Sequence, residues 1–96
     1  PEANALDLFV ACVDDSVRER AFSLVQKCRD AGIATEMDHQ QRSLKSQFKL
    51  ADKLHAAQVA ILGPDEVTQG CVKLRNMETH EEQMVAFDEL IKVLCQ

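Results

Sequence analysis

The sequence contains no tryptophan or tyrosine and has only three glycines, two prolines and four phenylalanines. With so little glycine, neither G-x-G-x-x-G nor G-K-[ST] occurs, which excludes the common phosphate-binding loops. The lack of Trp and Tyr argues against a flavin site and against a generic binder of single strands, since both need exposed rings for stacking. No run of about 18 apolar residues exists, so no membrane span is predicted. A basic lead-in with a cleavage site is also missing, so no signal peptide is predicted.

The cysteines form no C-x-x-C pair, and the three histidines fall in no pattern with them, so no zinc site is predicted. Each cysteine lies in an apolar periodic segment, where a free thiol behaves as a small core side chain. We therefore expect reduced thiols and a cytoplasmic protein. The four cysteines are Cys12, Cys28, Cys71 and Cys95.

The remaining composition is that of one globular domain. The chain has 96 residues, of which 46% are hydrophobic and 28% charged, and this length supports a single core. We predict one domain over residues 1–96. Because the chain begins with Pro1 and not with Met, we interpret it as a piece of a longer protein.

Charge is unevenly distributed along the chain. The formal net charge is −5, which by itself argues against a nucleic-acid partner. Residues 39–63, however, carry four basic side chains against one acidic, while the segments on either side each sum to −4. A local positive face can attract a polyanion despite a negative total. The alternative is that this stretch is simply the solvated side of a helix.

Apolar periodicity predicts five strands and three main helices. A capping box of Ser16 and Glu19 is predicted to start the first helix, and Gly32 to end it. Ser43 is predicted to cap a second helix that runs to about His55. The strands are predicted at 7–13, 33–38, 58–62 and 70–77, with a short fifth strand through residue 85. A turn or single helical turn is predicted at 64–67, a hairpin turn at 78–81 and a closing helix at 87–94.

This order predicts an α/β fold, a three-layer sandwich around a mixed five-stranded sheet. The first three strands alternate with helices and should be parallel, and the hairpin should be added antiparallel. In such sheets, binding sites lie at the carboxyl ends of the parallel strands. The loops predicted there are 14–15, 39–42 and 63–66.

These loops do not support catalysis. They offer carboxylates and His39 but no Ser or Cys nucleophile beside a base. Asp14 and Asp15 are similar to the acidic pocket of a response regulator, but the third strand ends in Leu62-Gly63 without a phosphoacceptor aspartate. The two aspartates also suit the start of a helix, where negative charge is favourable.

Binding of RNA has more support. Lys45, Lys49 and Lys53 recur every four residues and form one stripe on the second helix, with Arg42 just ahead of it. Cations position a polyanion, while amides and guanidinium groups read bases. We therefore predict recognition of a structured RNA loop with a few splayed bases. The candidate amides for reading base edges are Gln40, Gln41 and Gln47, and Lys73 and Arg75 project from the neighbouring strand.

Three segments then resemble a known family in the correct order. They are R-S-L-K-S-Q-F-K-L-A-D-K-L at 42–54, V-A-I-L-G-P-D-E-V at 59–67 and G-C-V-K-L-R-N-M-E-T at 70–79. Together they are similar to the anticodon-binding domain of class II aminoacyl-tRNA synthetases, specifically the histidyl-tRNA synthetases. The resemblance implies the sandwich fold and binding of the tRNA anticodon loop.

The resemblance also implies which residues contact RNA. Bases would be contacted by the loop entering the second helix, by the glutamate of G-x-x-E and by a basic residue of the next strand. A glutamate can accept from a guanine N1–H and N2–H pair, although Glu66 also suits a helix-capping role. Lys45 and Lys49 would contact phosphates. The base-contacting residues would be His39, Gln41, Arg42, Glu66 and Arg75.

The sequence differs from the family pattern at two positions. Many relatives have glycine where this chain has His80, so a hairpin turn of another type is expected there. Many also have glycine after the second helix, where His55 is expected to cap that helix. Catalytic motifs that bind ATP, Mg²⁺ and histidine are absent, so this chain alone should not aminoacylate. A parent enzyme that contains those motifs would aminoacylate, and we expect it to be a homodimer.

The alternative function is that of a synthetase-like paralogue, a regulatory or accessory subunit, that uses this domain for protein contacts.

Overall fold

The sheet has five strands in the order β2-β1-β3-β4-β5. In the computed structural model, which describes residues 6–95, β1 pairs in parallel with both β2 and β3, while β4 and β5 are added antiparallel. The predicted mixed five-stranded sheet is thus confirmed. The strands are β1 (Leu8–Cys12), β2 (Thr35–Met37), β3 (Gln58–Leu62), β4 (Cys71–Asn76) and β5 (Glu82–Ala86).

Residues 6–95 also form three helices of eight or more residues, one short helix and a 3-10 turn, in agreement with the three main helices predicted. Ser43 caps the second long helix as predicted, with its Oγ accepting from the backbone N–H of Ser46. The 3-10 turn covers Asp15–Val17, and the helices are α1 (Arg18–Asp30), α2 (Leu44–Lys53), α3 (Pro64–Gln69) and α4 (Phe87–Leu94).

Two hydrophobic clusters lie on opposite faces of the sheet. The larger cluster joins α1 and α4 to side chains from all five strands, among them the fully buried Leu8 and Leu74. The smaller cluster places α2 over β1 and β3, through Ala51 against Phe9 and Val59. On this second face β5 presents exposed side chains, so the half of the sheet formed by β4 and β5 is open there.

The predicted capping box at Ser16 is wrong. Asp14 has an extended backbone, and its carboxylate accepts hydrogen bonds from both the N–H and the hydroxyl of Ser16. The Ser16 hydroxyl is therefore a donor to Asp14 and is not the cap that receives from Glu19. A turn of 3-10 helix follows before α1 begins at Arg18.

Helices α1 and α2 end in the same hydrogen-bond pattern. After α1, Ile33 N–H donates to Cys28 O at 3.0 Å, and after α2, Ala56 N–H donates to Ala51 O at 3.0 Å. Such an ending needs one residue in the left-handed region. Gly32 fills it with φ 85° as predicted, and His55 fills it with φ 59°. His55 therefore forms the same turn as Gly32, but its Cβ atom makes this left-handed backbone conformation strained.

The cysteines differ in burial. Cys12 and Cys28 are buried, and this burial raises the pKa of both thiols. Cys71 is only half-buried because it starts β4 on the open face, and Cys95 is exposed behind the last turn of α4. The prediction that every cysteine is a core side chain is therefore wrong for these two.

Candidate nucleic-acid interface

The carboxyl ends of β1, β2 and β3 meet at one edge of the sheet, as the parallel order requires. A cleft of about 280 Å³ opens there between the end of β1 and the start of α2. We call it the strand-end cleft. It is lined by Cys12, Val13, Asp14, Asp15, Arg18, Gln41, Arg42, Ser43 and Gln47.

Gln47 forms the floor of this cleft and does not read bases. Its side chain is 3% exposed. The amide accepts from Cys12 N–H at 2.9 Å and donates to Cys12 O at 2.8 Å and Arg42 O at 2.9 Å. These bonds occupy its oxygen and both N–H groups. The prediction that Gln47 reads base edges is therefore wrong, and its place between Leu44 and Ala51 on the apolar stripe was the signal for burial.

Arg42 is positioned by a carboxylate that the sequence did not single out. Asp38 is 2% exposed and accepts from the Arg42 backbone N–H at 2.7 Å and from its guanidinium group. Burial alone would raise the pKa of Asp38, but hydrogen bonds from Arg42 and from the Gln40 backbone hold that pKa below its usual value. The carboxylate therefore stays charged and fixes Arg42 at the mouth of the cleft.

Gln41 and His39 lie in the same loop, and their side chains have different polar neighbours. Gln41 adopts a left-handed backbone with φ 55°, and its amide donates to Asp15 at 3.3 Å. His39 is 67% exposed, with its Nε2 3.8 Å from the Glu36 carboxylate. Gln41 and Arg42 thus line the cleft with an amide and a guanidinium group, whereas the exposed imidazole of His39 belongs to the same loop but is not part of the cleft lining.

Glu66 lies beside the strand-end cleft and also caps α3. Its Oε1 accepts from Gly63 N–H at 2.9 Å. A Cβ atom at Gly63 would lie 2.8 Å from that oxygen and 2.9 Å from Cγ2 of Val13. Any larger residue at position 63 would therefore force the Glu66 cap or the Val13 side chain to shift. The capping role leaves Oε2 of Glu66 as the oxygen available to an incoming donor.

Arg75 is not at the strand ends. It faces Val59 in the pairing register, three residues before the end of β3 at Leu62, which places it about 10 Å along the strand from the cleft. Its guanidinium group lies 5.5 Å from the centre of the Phe48 ring and donates to Glu82 at 2.9 Å. The predicted contacts therefore divide into two places, the strand-end cleft and the open sheet face.

The lysine stripe lies on α2, the helix that borders the strand-end cleft through Gln47 and contacts Arg75 through Phe48. Lys45, Lys49 and Lys53 are all exposed on α2, as their spacing predicts. Within residues 6–95 none of them forms an ion pair. Carboxylates in the cleft, by contrast, are each held by neighbouring donors. The stripe is thus a row of exposed positive charge, and the cleft carries paired charges.

Within residues 6–95, no group of three or more His, Cys, Asp or Glu side chains is placed to hold a metal ion. None of the helices in the described part of the chain is long and apolar enough to cross a membrane.

Comparison with known proteins gives a consistent result. The sequence model of the anticodon-binding domain family matches residues 7–96. A histidine--tRNA ligase of Bacillus velezensis is 39% identical over 94 residues, which are 98% of this chain and 22% of that protein. The chain thus spans less than a quarter of the curated relative.

Solved structures agree with this comparison. The crystal structure of apo histidyl-tRNA synthetase from S. aureus superposes with a TM-score of 0.91 at 30% identity, covering 97% of this chain and 24% of that one. Histidyl-tRNA synthetase from Nostoc superposes with a TM-score of 0.88 at 25% identity, covering 96% and 22%. The strand order and helix placement described above are therefore those of these enzymes' matching segment.

Proposed function

This chain belongs to the anticodon-binding domain family, and from that membership we propose that it recognises the anticodon stem-loop of a histidine tRNA. The observation that carries the proposal is the family match over residues 7–96. The ligase relative and the synthetase structures named above support histidine as the amino acid of the matching tRNA.

The charges of the side chains indicate which of them contact phosphates and which contact bases. Lys45 and Lys49 contact phosphates, because exposed ammonium groups hold a polyanion without reading sequence. Bases are read at the strand-end cleft and on the open sheet face. There, carboxylate, amide and guanidinium groups match the donors and acceptors of unpaired bases. The base-reading residues are His39, Gln41, Arg42, Glu66 and Arg75.

Aminoacylation would belong to the parent ligase and not to this chain. In this proposal the parent joins histidine to tRNA with ATP and Mg²⁺ in a catalytic domain, as a homodimer in the cytoplasm. This domain would contribute to the reaction by presenting the tRNA.

The alternative of a synthetase-like paralogue used for protein contacts is not favoured. The B. velezensis relative is named as a ligase, and both compared structures are synthetases. The exposed lysine stripe also suits a polyanion better than a protein surface.

The test is an NMR titration of the 96-residue chain with a histidine anticodon stem-loop and with a stem-loop of scrambled anticodon. We expect shifts at 39–49, 63–67 and 73–77 that are larger for the histidine loop. Equal shifts with both loops, or none at millimolar RNA, would contradict anticodon recognition and favour the paralogue.

A further inference from the structure

Arg75 is held on two sides by side chains outside the predicted contact set. The Phe48 ring lies below its guanidinium group, and Glu82 accepts from its NH1 at 2.9 Å. The Arg75 side chain is still 31% exposed. An arginine with two such supports has lost much of its rotational freedom before any ligand arrives.

We propose that Arg75 is a stacking platform for one unpaired base of the RNA loop, and that Phe48 and Glu82 are the residues that position it. The proposal rests on the function proposed above and adds the mode of contact. Guanidinium planes commonly stack on unpaired bases in RNA recognition. Here the ring of Phe48 supports the guanidinium group from the protein side, so the chain gains a platform without exposing an aromatic ring.

The surroundings of Arg75 fit a nucleotide. Met84, 48% exposed, is its diagonal neighbour across the β4–β5 pair, because Arg75 faces Glu82 and Lys73 faces Met84. A thioether is a soft apolar contact for the edge of a base. Lys73 lies one step along the same face of β4 and can reach the adjoining phosphate. The open face thus offers a flat cation, an apolar side chain and a second cation within one strand pair.

Stacking is favoured over a phosphate contact at Arg75 for an electrostatic reason. Its charge is already paired with Glu82, whereas Lys45 and Lys49 have no ion partner within the described residues. A phosphate is therefore attracted more strongly to the lysines. A base is neutral, so the charge of Glu82 does not weaken the stacking of that base on Arg75.

The test uses the 96-residue chain and a histidine anticodon stem-loop carrying 2-aminopurine at one loop position at a time. Stacking quenches the fluorescence of this base analogue. We expect the wild-type chain to quench one position. Arg75→Lys keeps the charge but removes the plane, so it should abolish that quenching and weaken binding at least about 5-fold. The slope of affinity against salt should stay within error of wild type, because charge is unchanged.

Positioning is tested with Phe48→Leu and Glu82→Gln. Each should reduce the quenching about 2- to 5-fold, because Arg75 keeps its plane but loses a support. Glu82 is exposed, so Glu82→Gln tests positioning even if Phe48→Leu disturbs the fold. The matched control is Gln83→Ala, on the same strand but opposite Leu74 and thus on the other face, which should quench as wild type does.

The outcomes separate the two proposals. If the wild-type chain binds the histidine loop selectively but quenches no position, or if Arg75→Lys quenches as well as wild type, the platform is wrong and anticodon recognition stands. If Glu82→Gln and Phe48→Leu both leave quenching unchanged, the positioning roles are wrong. If the chain binds no stem-loop, both proposals fail.

Discussion

Gln47 and Cys12, 35 residues apart, form a closed pair of hydrogen bonds in which a side-chain amide behaves like a neighbouring strand. The Gln47 amide accepts from the Cys12 N–H and donates to its C=O, at 2.9 and 2.8 Å. Helix α2 is thereby tied to the carboxyl end of β1. A third bond, to Arg42 O at 2.9 Å, ties the loop that enters α2 to the same amide.

Replacing Gln47 should therefore be costly. Gln47→Ala leaves buried backbone groups of Cys12 without partners, and we expect a loss of about 2–3 kcal/mol in the free energy of unfolding. Urea unfolding followed by circular dichroism measures this. Gln40→Ala, at an exposed position, is the control and should change stability by less than about 0.5 kcal/mol. Equal effects of the two changes would show that the Cys12 bridge contributes little.

Gly63→Ala should destabilise the chain by crowding alone. The residue has φ −131°, which any side chain tolerates, but the new methyl would approach Glu66 and Val13 within 3 Å. We expect a loss of about 1–3 kcal/mol, measured by thermal unfolding. In a Val13→Ala background the cost of Gly63→Ala should fall, because one of the two contacts is gone. An undiminished cost would place the strain on Glu66 alone.

His55→Gly should stabilise the chain by about 0.5–1 kcal/mol, because glycine adopts the left-handed backbone without steric cost. A higher melting temperature in a thermal scan is the expected result. His39→Gly is the control, since His39 does not have a positive φ. If both changes lower the melting temperature, the His55 side chain makes a favourable contact that exceeds its strain.

The Asp38 carboxylate should make the free energy of unfolding depend on pH in the acidic range. Because folding lowers its pKa from a reference value of 3.8, its contribution is present above that value and is lost as pH falls through the lower folded value. Asp38→Asn should cost about 1.5–3 kcal/mol at neutral pH, and the difference from wild type should shrink below about pH 4. Urea unfolding across pH tests this, with Asp30→Asn, at an exposed position, as the control. A difference that stays constant with pH would rule out a role for the Asp38 charge.

Lys49→Ala should weaken every stem-loop by the same factor. A phosphate contact carries no sequence information, so the ratio of histidine to scrambled loop should stay constant, while the salt slope should fall by about 1. Fluorescence anisotropy at several salt concentrations measures both quantities. Lys92→Ala, on α4 at the opposite face, should change neither. A changed ratio would move Lys49 into the base-reading set.

The sequence predicts the backbone well where apolar periodicity is strong. All five residues of β1 are buried, and such a run is typical of a central parallel strand. The fold class and the exposed lysine stripe follow from the same kind of pattern. Gly32 was predicted as the end of α1 because a left-handed residue there is a local requirement.

Side-chain partners are less predictable because they depend on contacts far apart in sequence. The hydrogen bonds of Gln47 are not predictable because its partner, Cys12, lies in a strand 35 residues away in sequence. The support of Arg75 by Phe48 likewise needs the packing of α2 over the sheet. The predicted cap at the start of α1 is wrong for a different reason. Asp14 and Ser16 are both good capping residues, and only the backbone geometry decides between them.

The position of β1 has a practical consequence for how this chain can be handled. Although first in sequence, β1 is flanked by β2 and β3 and runs toward the strand-end cleft. Leu6, just ahead of it, therefore lies at the opposite edge of the sheet. A chain shortened to begin at Leu6 and tethered there for surface immobilisation would leave the cleft facing away from the support, accessible to RNA in flow.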